Sequence, residues 1–189
     1  DASLAKEMEE DFRRILQERL AESKQIRKTR VASFLEAAWK DVRMTSDADF
    51  DASPDTSVPE NTLSDVAAGL VRIPPGKKFF NKIIRLFRER EDMAQAGRFD
   101  WGMAEMLAYG TLLREGFPVR LSGQDVERGT FSHRHAVIKI EDSEEEYVPL
   151  NNLAPEQARF EIYNSPLSEY GVLGFEYGYA SNDPNTLVI

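Results

Sequence analysis

The sequence predicts an α/β fold, a partly parallel sheet flanked by helices and preceded by a mainly helical segment. Three observations carry the prediction. From Asp100 onward, short apolar runs alternate with helical patterns, the arrangement that builds layered α/β sheets. Before residue 100 the apolar residues recur at helical spacing. Between the early helical patterns lies an acidic, turn-rich stretch, residues 45–60. The boundary is drawn accordingly, with 1–99 as a helical connector containing the acidic loop 45–60, and 100–189 as the α/β part.

The elements follow in order. Leu4, Met8, Phe12, Ile15 and Leu16 predict an amphipathic helix over 3–22. Lys24, Arg27, Lys28 and Arg30 then form a basic patch, read as a solvated helix end or connector. Val31, Phe34, Leu35 and Trp39 predict a short helix within 31–43, and residues 45–60 an irregular loop. A further short helix over 62–70 is closed by Pro74-Pro75-Gly76. Phe80, Ile83, Ile84 and Phe87 form the apolar stripe of a helix over about 78–90. Its remaining face carries Lys78, Lys82, Arg85, Arg88 and Arg90, either a wet basic surface or an anion site.

Asp100 is placed to cap a helix containing Met103, Leu107, Leu112 and Leu113. Gly116 stands where a helix end takes a left-handed residue. Strands are expected at 117–121, 136–140, 159–163 and 186–189, with the acidic run Glu141–Glu146 as a solvated turn or, alternatively, a cation site. Ser165 and Pro166 are expected to open a helix from Leu167 to about Ala180. On that helix Gly171, Gly174 and Gly178 share one face. Each costs about 1 kcal/mol relative to alanine, so something is expected to approach closely: the adjoining sheet, or a partner subunit or cofactor.

Composition narrows the classes. Of 189 residues, 41% are hydrophobic, enough for a core, and 30% are charged, with a net charge of −9. That balance leans against nucleic acid, whose phosphates require clustered Lys and Arg. There is no cysteine, so disulfides and thiolate metal sites are excluded. No apolar run approaches the roughly 20 residues of a membrane span. The chain begins at Asp1, not methionine, and stops on the apolar run Asn185-Thr-Leu-Val-Ile189, so a piece of a longer polypeptide is expected.

The chemistry-bearing residues fall in two polar, glycine-punctuated runs at predicted strand ends or helix starts, where ligands bind in α/β folds. One is Leu121-Ser-Gly-Gln-Asp-Val-Glu-Arg-Gly-Thr-Phe-Ser-His-Arg-His135, the other Leu167-Ser-Glu-Tyr-Gly-Val-Leu-Gly-Phe-Glu176. Glu169 lies in a first helical turn, where the helix dipole stabilises a carboxylate. His133 and His135, the chain's two histidines, are candidates for orienting the loop by hydrogen bonds, for proton transfer or for substrate contact. Arg128 is able to meet a carboxylate through two parallel hydrogen bonds, or to anchor its own loop.

Together with Asp100-Trp-Gly-Met-Ala-Glu-Met-Leu-Ala-Tyr-Gly-Thr-Leu-Leu-Arg-Glu-Gly116 and Asn164-Ser-Pro-Leu-Ser-Glu-Tyr-Gly-Val-Leu-Gly-Phe-Glu176, the Leu121–His135 run resembles the thiamine-diphosphate-dependent decarboxylating subunit of 2-oxoglutarate dehydrogenases. The resemblance covers about 100–189 closely and 1–99 more loosely. It implies the first part of a transketolase-like pyrimidine-binding domain. It further implies oxidative decarboxylation of 2-oxoglutarate in the tricarboxylic acid cycle, with succinyl transfer to a lipoyl group.

In such a protein Glu169 is the catalytic acid, hydrogen-bonded to the cofactor's aminopyrimidine ring and promoting its imino tautomer. Gln124 lines the reaction centre, where an amide donates and accepts without altering the site's charge. Related pyruvate and branched-chain enzymes place an acid there, so Gln124 favours the 2-oxoglutarate branch. Ser168 is a further implied cofactor contact, and His133, His135 and Arg128 are implied to line the substrate or intermediate.

The implied cofactor is thiamine diphosphate with Mg2+. The family's Gly-Asp-Gly motif and its asparagine, which hold diphosphate and metal, do not occur in these residues. In the family they lie in an earlier domain, and the active centre forms between two protomers. This chain alone is therefore expected to lack turnover and to bind cofactor weakly. Implied partners are 2-oxoglutarate, a lipoyl-bearing succinyltransferase, dihydrolipoyl dehydrogenase and a second copy in a homodimer, with no nucleic acid and no membrane. The implied location is a bacterial cytoplasm or a mitochondrial matrix. Two alternatives remain: another thiamine enzyme, such as a transketolase or a branched-chain oxo-acid dehydrogenase, or a non-catalytic interaction module with 1–99 as a helical docking arm. Gln124 and the Ser-His-Arg-His phrase argue against the first.

Overall fold

A computed structural model describes residues 2–26, 35–165 and 168–189. By contacts the chain divides into two units, residues 1–37 and 38–189. In the first, α1 (Ala2–Gln25) is a single helix. Its apolar side chains, Leu4, Met8, Phe12, Ile15, Leu16 and Leu20, are exposed, and i,i+3 and i,i+4 ion pairs such as Arg13–Glu9 and Arg19–Glu22 line its polar surface. Arg27, Lys28, Arg30, Val31 and Phe34 lie outside the described residues.

The short helix α2 (Glu36–Trp39) spans the boundary between the units, and α3 (Asp47–Asp51) follows in the second. The stretch read as irregular over 45–60 thus contains one helical turn. Its cause is Ser46, whose N–H donates to the Asp49 carboxylate at 2.7 Å and so satisfies a free helix-start donor. Next come α4 (Glu60–Leu70) and α5 (Asn81–Ala96). The latter starts three residues later than predicted, because Phe79 forms an antiparallel bridge with Ile140 instead of joining the helix.

The α6 helix (Trp101–Arg114) begins where expected: Asp100 Oδ1 accepts from Met103 N–H at 2.7 Å. It ends as expected too, Gly116 adopting φ 91°, which a side chain would oppose.

β1 (Val119–Gly123) leads into the polar loop. β2 (Ile138–Lys139) and β3 (Glu146–Tyr147) pair antiparallel in a small sheet of their own. Residues 136–140 therefore do not join the main sheet as a strand, because the acidic run simply turns the chain back on itself. After a 3-10 turn at Pro149–Asn152 come β4 (Phe160–Asn164), α7 (Glu169–Asn182) and β5 (Leu187–Val188). The main sheet has the order β4-β1-β5, all parallel, with Val119 opposite both Phe160 and Leu187.

One core joins α4 and α6 to this sheet through Val66, Leu70, Met106, Leu113, Val119 and Phe160. A second lies between α5 and the small sheet, around Phe79, Phe87, Ile138 and Tyr147. No helix among the described residues is long and apolar enough to cross a membrane.

Three sequence expectations change here. Ser168, not Ser165, is the residue preceding α7, and Pro166 and Leu167 lie outside the described residues. Arg90 is not on a wet basic face: it is 1% exposed. It falls seven residues after Ile83 and three after Phe87, on the buried side of α5, where protein carbonyls replace water as its acceptors. The adjoining sheet does not explain Gly174 and Gly178, since a Cβ at either would meet nothing within 4 Å. Tyr170, Leu173, Phe175 and Tyr177 beside them are exposed as well.

Candidate functional site

Parallel strands end together at one edge of the sheet, and peptide groups left unpaired there make a natural place for a ligand. At that edge Gly123 and Gln124 leave β1, and Glu169 begins α7. The two loops are tied to each other: Ser165 N–H donates to Gly123 O at 2.7 Å, and Glu127 N–H to Asn164 Oδ1 at 3.1 Å. Gln124 and Glu169 line one hollow of about 290 Å3, walled by Val172, Leu173 and Ile189 and floored by Ser122 and Glu176. The Glu169 side chain is solvent-accessible there.

Glu176 is 6% exposed and takes three hydrogen bonds from β1. Arg120 Nε donates to Oε2 at 2.8 Å and Nη2 to Oε1 at 3.0 Å, while Ser122 Oγ donates to Oε1 at 2.8 Å. Burial pushes this carboxyl upward, but the donors from Arg120 and then Ser122 outweigh it and hold Glu176 below the usual carboxylate range. Arg120 is correspondingly raised, chiefly by its bond to Glu176, and also donates Nη1 to Glu161 at 3.1 Å.

The rest of the glycine-punctuated loop is folded into a cage of its own backbone bonds. Arg134 and His135 N–H both donate to Arg128 O at 2.9 Å. Asp125, Ser132 and His135 have φ of 52°, 55° and 44°, a left-handed conformation that non-glycine residues hold only when their surroundings impose it. Arg90 and Glu105, from outside the loop, and Arg134 within it supply that constraint. Arg90 donates to Arg134 O at 2.6 Å and to His133 O at 3.2 Å. Arg134 reaches back to Glu105 on α6 at 2.7 Å and to Val126 O at 2.8 Å. Gly129, at φ 80°, leaves room for the His133 ring, which a Cβ would meet at 2.4 Å.

The sequence-predicted residues are thus split. Gln124 and Glu169 share the first hollow. Arg128 and His135 line a second, of about 510 Å3, with Lys82, Lys139, Asp125 and Asn164. Arg128 is an ion-pair partner of Asp125, whose carboxyl its hydrogen bond holds low. His133 joins neither hollow: it packs on Gly129, with Nε2 3.9 Å from Glu105. Ser168 is exposed at the α7 N-cap and lines neither hollow. Sequence reasoning missed Glu105, Arg120 and Glu176, and put Arg90 on the wrong face of α5. The available signal was periodicity, since Glu176 stands seven residues after Glu169, on the same helix face.

His135, 8% exposed, is held below its ordinary value first by burial and then by the charges of Lys82, Arg90 and Arg128. A depressed histidine contributes stability that is complete above the unfolded-state value of about 6.5 and is lost as pH falls through the folded-state value. Chemical denaturation at about pH 7.5 and about pH 5.5 is expected to show a smaller stability drop for His135→Gln than for the parent. Equal drops would contradict this account.

The residues around the first hollow belong to a recognisable domain. Residues 98–189 match the transketolase pyrimidine binding domain family. Over 183 residues, 96% of the chain, the sequence is 43% identical to the 2-oxoglutarate dehydrogenase E1 components of Brucella ovis and Brucella canis. It is 45% identical to that of Brucella anthropi over 159 residues, 84% of the chain. The chain spans 18% of the length of the first two relatives and 16% of the third.

Proposed function

We propose that the chain is the segment of a 2-oxoglutarate dehydrogenase that receives the pyrimidine half of thiamine diphosphate, with 100–189 as the first part of the pyrimidine-binding domain and 1–99 as a helical connector. The observation that carries this is the convergence of Gln124 and Glu169 on one hollow at the strand ends. Its Val172, Leu173 and Ile189 walls suit the faces of a planar ring, and its carboxylate and amide suit the edge of an aminopyrimidine. When bound, the cofactor supplies the nucleophilic carbon and the electron sink for decarboxylation. Glu169 holds a proton at a pyrimidine ring nitrogen, and Gln124 orients the reacting group without adding charge. Ser168, the α7 N-cap, stands next to Glu169 at the rim outside the hollow, and any contact it makes is with a part of the cofactor that projects beyond it. Arg128, His133 and His135 serve the substrate side: Arg128 and His135 present an Arg–His edge to the second hollow, and His133 supports the loop from behind.

Among the described residues no three His, Asp or Glu side chains are grouped to hold a metal ion. On the resemblance, which puts the Gly-Asp-Gly motif for diphosphate and Mg2+ in an earlier domain, we assign that half of the cofactor site to another part of the protein. The exposed face of α7, with Gly174 and Gly178 open and Tyr170 and Tyr177 projecting, supports assembly with a second copy of the protein. The remaining partners are the lipoyl-bearing succinyltransferase that accepts the succinyl unit and dihydrolipoyl dehydrogenase.

The full-length protein, supplied with Mg2+ and thiamine diphosphate, is expected to decarboxylate 2-oxoglutarate in preference to pyruvate, a branched-chain oxo acid and a ketose donor. Preference for any of the other three would move the assignment to the pyruvate or branched-chain enzymes or to the transketolases.

A further inference from the structure

We propose that Arg120 and Glu176 are positioning residues that set the rotation and height of α7, and through it the place of Glu169. The inference rests on the reading of Glu169 as the cofactor-facing acid. Its starting point is that Glu176 is the single buried side chain of α7. A helix normally takes its rotational setting from a buried apolar stripe interlocking with its neighbour. In α7 that stripe is absent, and a carboxylate stands in its place.

The carboxylate is held in a way that specifies direction. Arg120 and Ser122 are two residues apart on β1, so both side chains leave the same face of the sheet, toward α7. The planar guanidinium grips both Glu176 oxygens, and such a fork tolerates little rotation of either partner. Arg120 is itself fixed from three sides. Glu161 on β4 accepts its remaining nitrogen, and the rings of Tyr163 and Tyr179 lie 4.9 and 4.6 Å from its Cζ, with Phe175 at 5.6 Å.

Helix geometry carries this setting to Glu169. Seven residues turn through about 700° and rise about 10 Å, so Glu169 lies on the Glu176 face, two turns nearer the strand ends. At a helix's radius of about 5 to 6 Å, a rotation of about 10° moves a side-chain tip by about 1 Å. A displacement of that size is enough to cost about 10²-fold in rate at a reacting centre.

The test uses the full-length protein with Mg2+ and thiamine diphosphate. Arg120→Lys keeps the charge and loses the fork. The double variant R120M/E176M replaces the pair with apolar side chains, leaving no uncompensated buried charge. The readouts are melting temperature, turnover and KM for 2-oxoglutarate, and the pH midpoint of the circular-dichroism band given by the cofactor's imino tautomer. In a variant that melts cooperatively, turnover is expected to fall about 10- to 100-fold with KM for 2-oxoglutarate within about twofold. The midpoint is expected to move by about one unit toward that of the free cofactor.

A folded variant that retains the parent midpoint overturns the proposal, because loss of packing alone leaves the tautomer balance where it was. If neither variant melts cooperatively, the pair is a folding requirement and the positioning role is withdrawn. Glu169→Ala measured alongside separates the two assignments. An unchanged band in that variant removes the reading of Glu169 itself. A lost band there, with the parent band in the Arg120 variants, removes only the role of Arg120 and Glu176.

Discussion

Glu169→Ala in the full-length protein is expected to lower turnover of 2-oxoglutarate by about 10²- to 10⁴-fold, the range for removing a group that positions a proton in the rate-determining chemistry. Stability is expected to change little, within about 0.5 kcal/mol, because the Glu169 side chain is exposed. This separation of effects makes the variant informative: a large kinetic loss in a protein that melts like the parent cannot be assigned to misfolding. Glu169→Gln keeps the shape and an N–H donor but cannot take up a proton, so it is expected to fall close to alanine in turnover and closer to the parent in cofactor affinity. Steady-state decarboxylation with saturating cofactor, and calorimetric titration, measure the two. Undiminished turnover in Glu169→Ala would favour the non-catalytic module.

Phe160→Ala is expected to cost about 3 to 5 kcal/mol of stability, a large share of the roughly 5 to 15 kcal/mol that holds a domain folded. Phe160 is 2% exposed and stacks on Tyr109 of α6 with centroids 5.8 Å apart. Asn151 clamps its backbone, accepting from Phe160 N–H at 2.8 Å and donating to Phe160 O at 3.0 Å. Collapse of the surroundings into the space left behind is therefore restricted, which places the cost high in its range. The register of β4 against β1 starts at Phe160 opposite Val119 and ends at Asn164 opposite Gly123. Cavity strain at the first pair thus reaches the loops that carry Gln124 and Glu169. Urea denaturation measures the loss, and a value below about 1 kcal/mol would show that the two layers repack freely.

Much of the fold is legible in the amino-acid pattern because its signals are local. Asp100 caps α6 through a side chain three residues from its donor, and Gly116 closes the helix through a backbone preference of one residue. β1 and β4 are read from short apolar runs whose burial needs no knowledge of the partner strand. Arg90 shows where this stops. A charged residue on a helix reads as solvent-facing, and only the carbonyls of His133 and Arg134, more than forty positions away, reverse that. The strand expected at 136–140 is present at Ile138–Lys139 but not in the main sheet: period and composition are the same whichever sheet receives it, and the turn at 141–145 decided for the smaller one. Gly174 and Gly178 announce a close approach without naming what approaches, and among the described residues nothing comes within 4 Å of a Cβ at either.

The candidate site divides along the same line. The ordered phrases around Gln124 and Glu169 pointed by themselves to the family model that residues 98–189 match and to the carboxylate to examine, since side-chain chemistry and short spacings are written along the chain. The tertiary structure alone decided that Gln124 and Glu169 share a hollow while Arg128 and His135 open onto another. It alone also made Arg120 and Glu176 the bond between sheet and helix. Which side chains meet depends on strand register and helix rotation, and both are set by packing between segments distant in sequence.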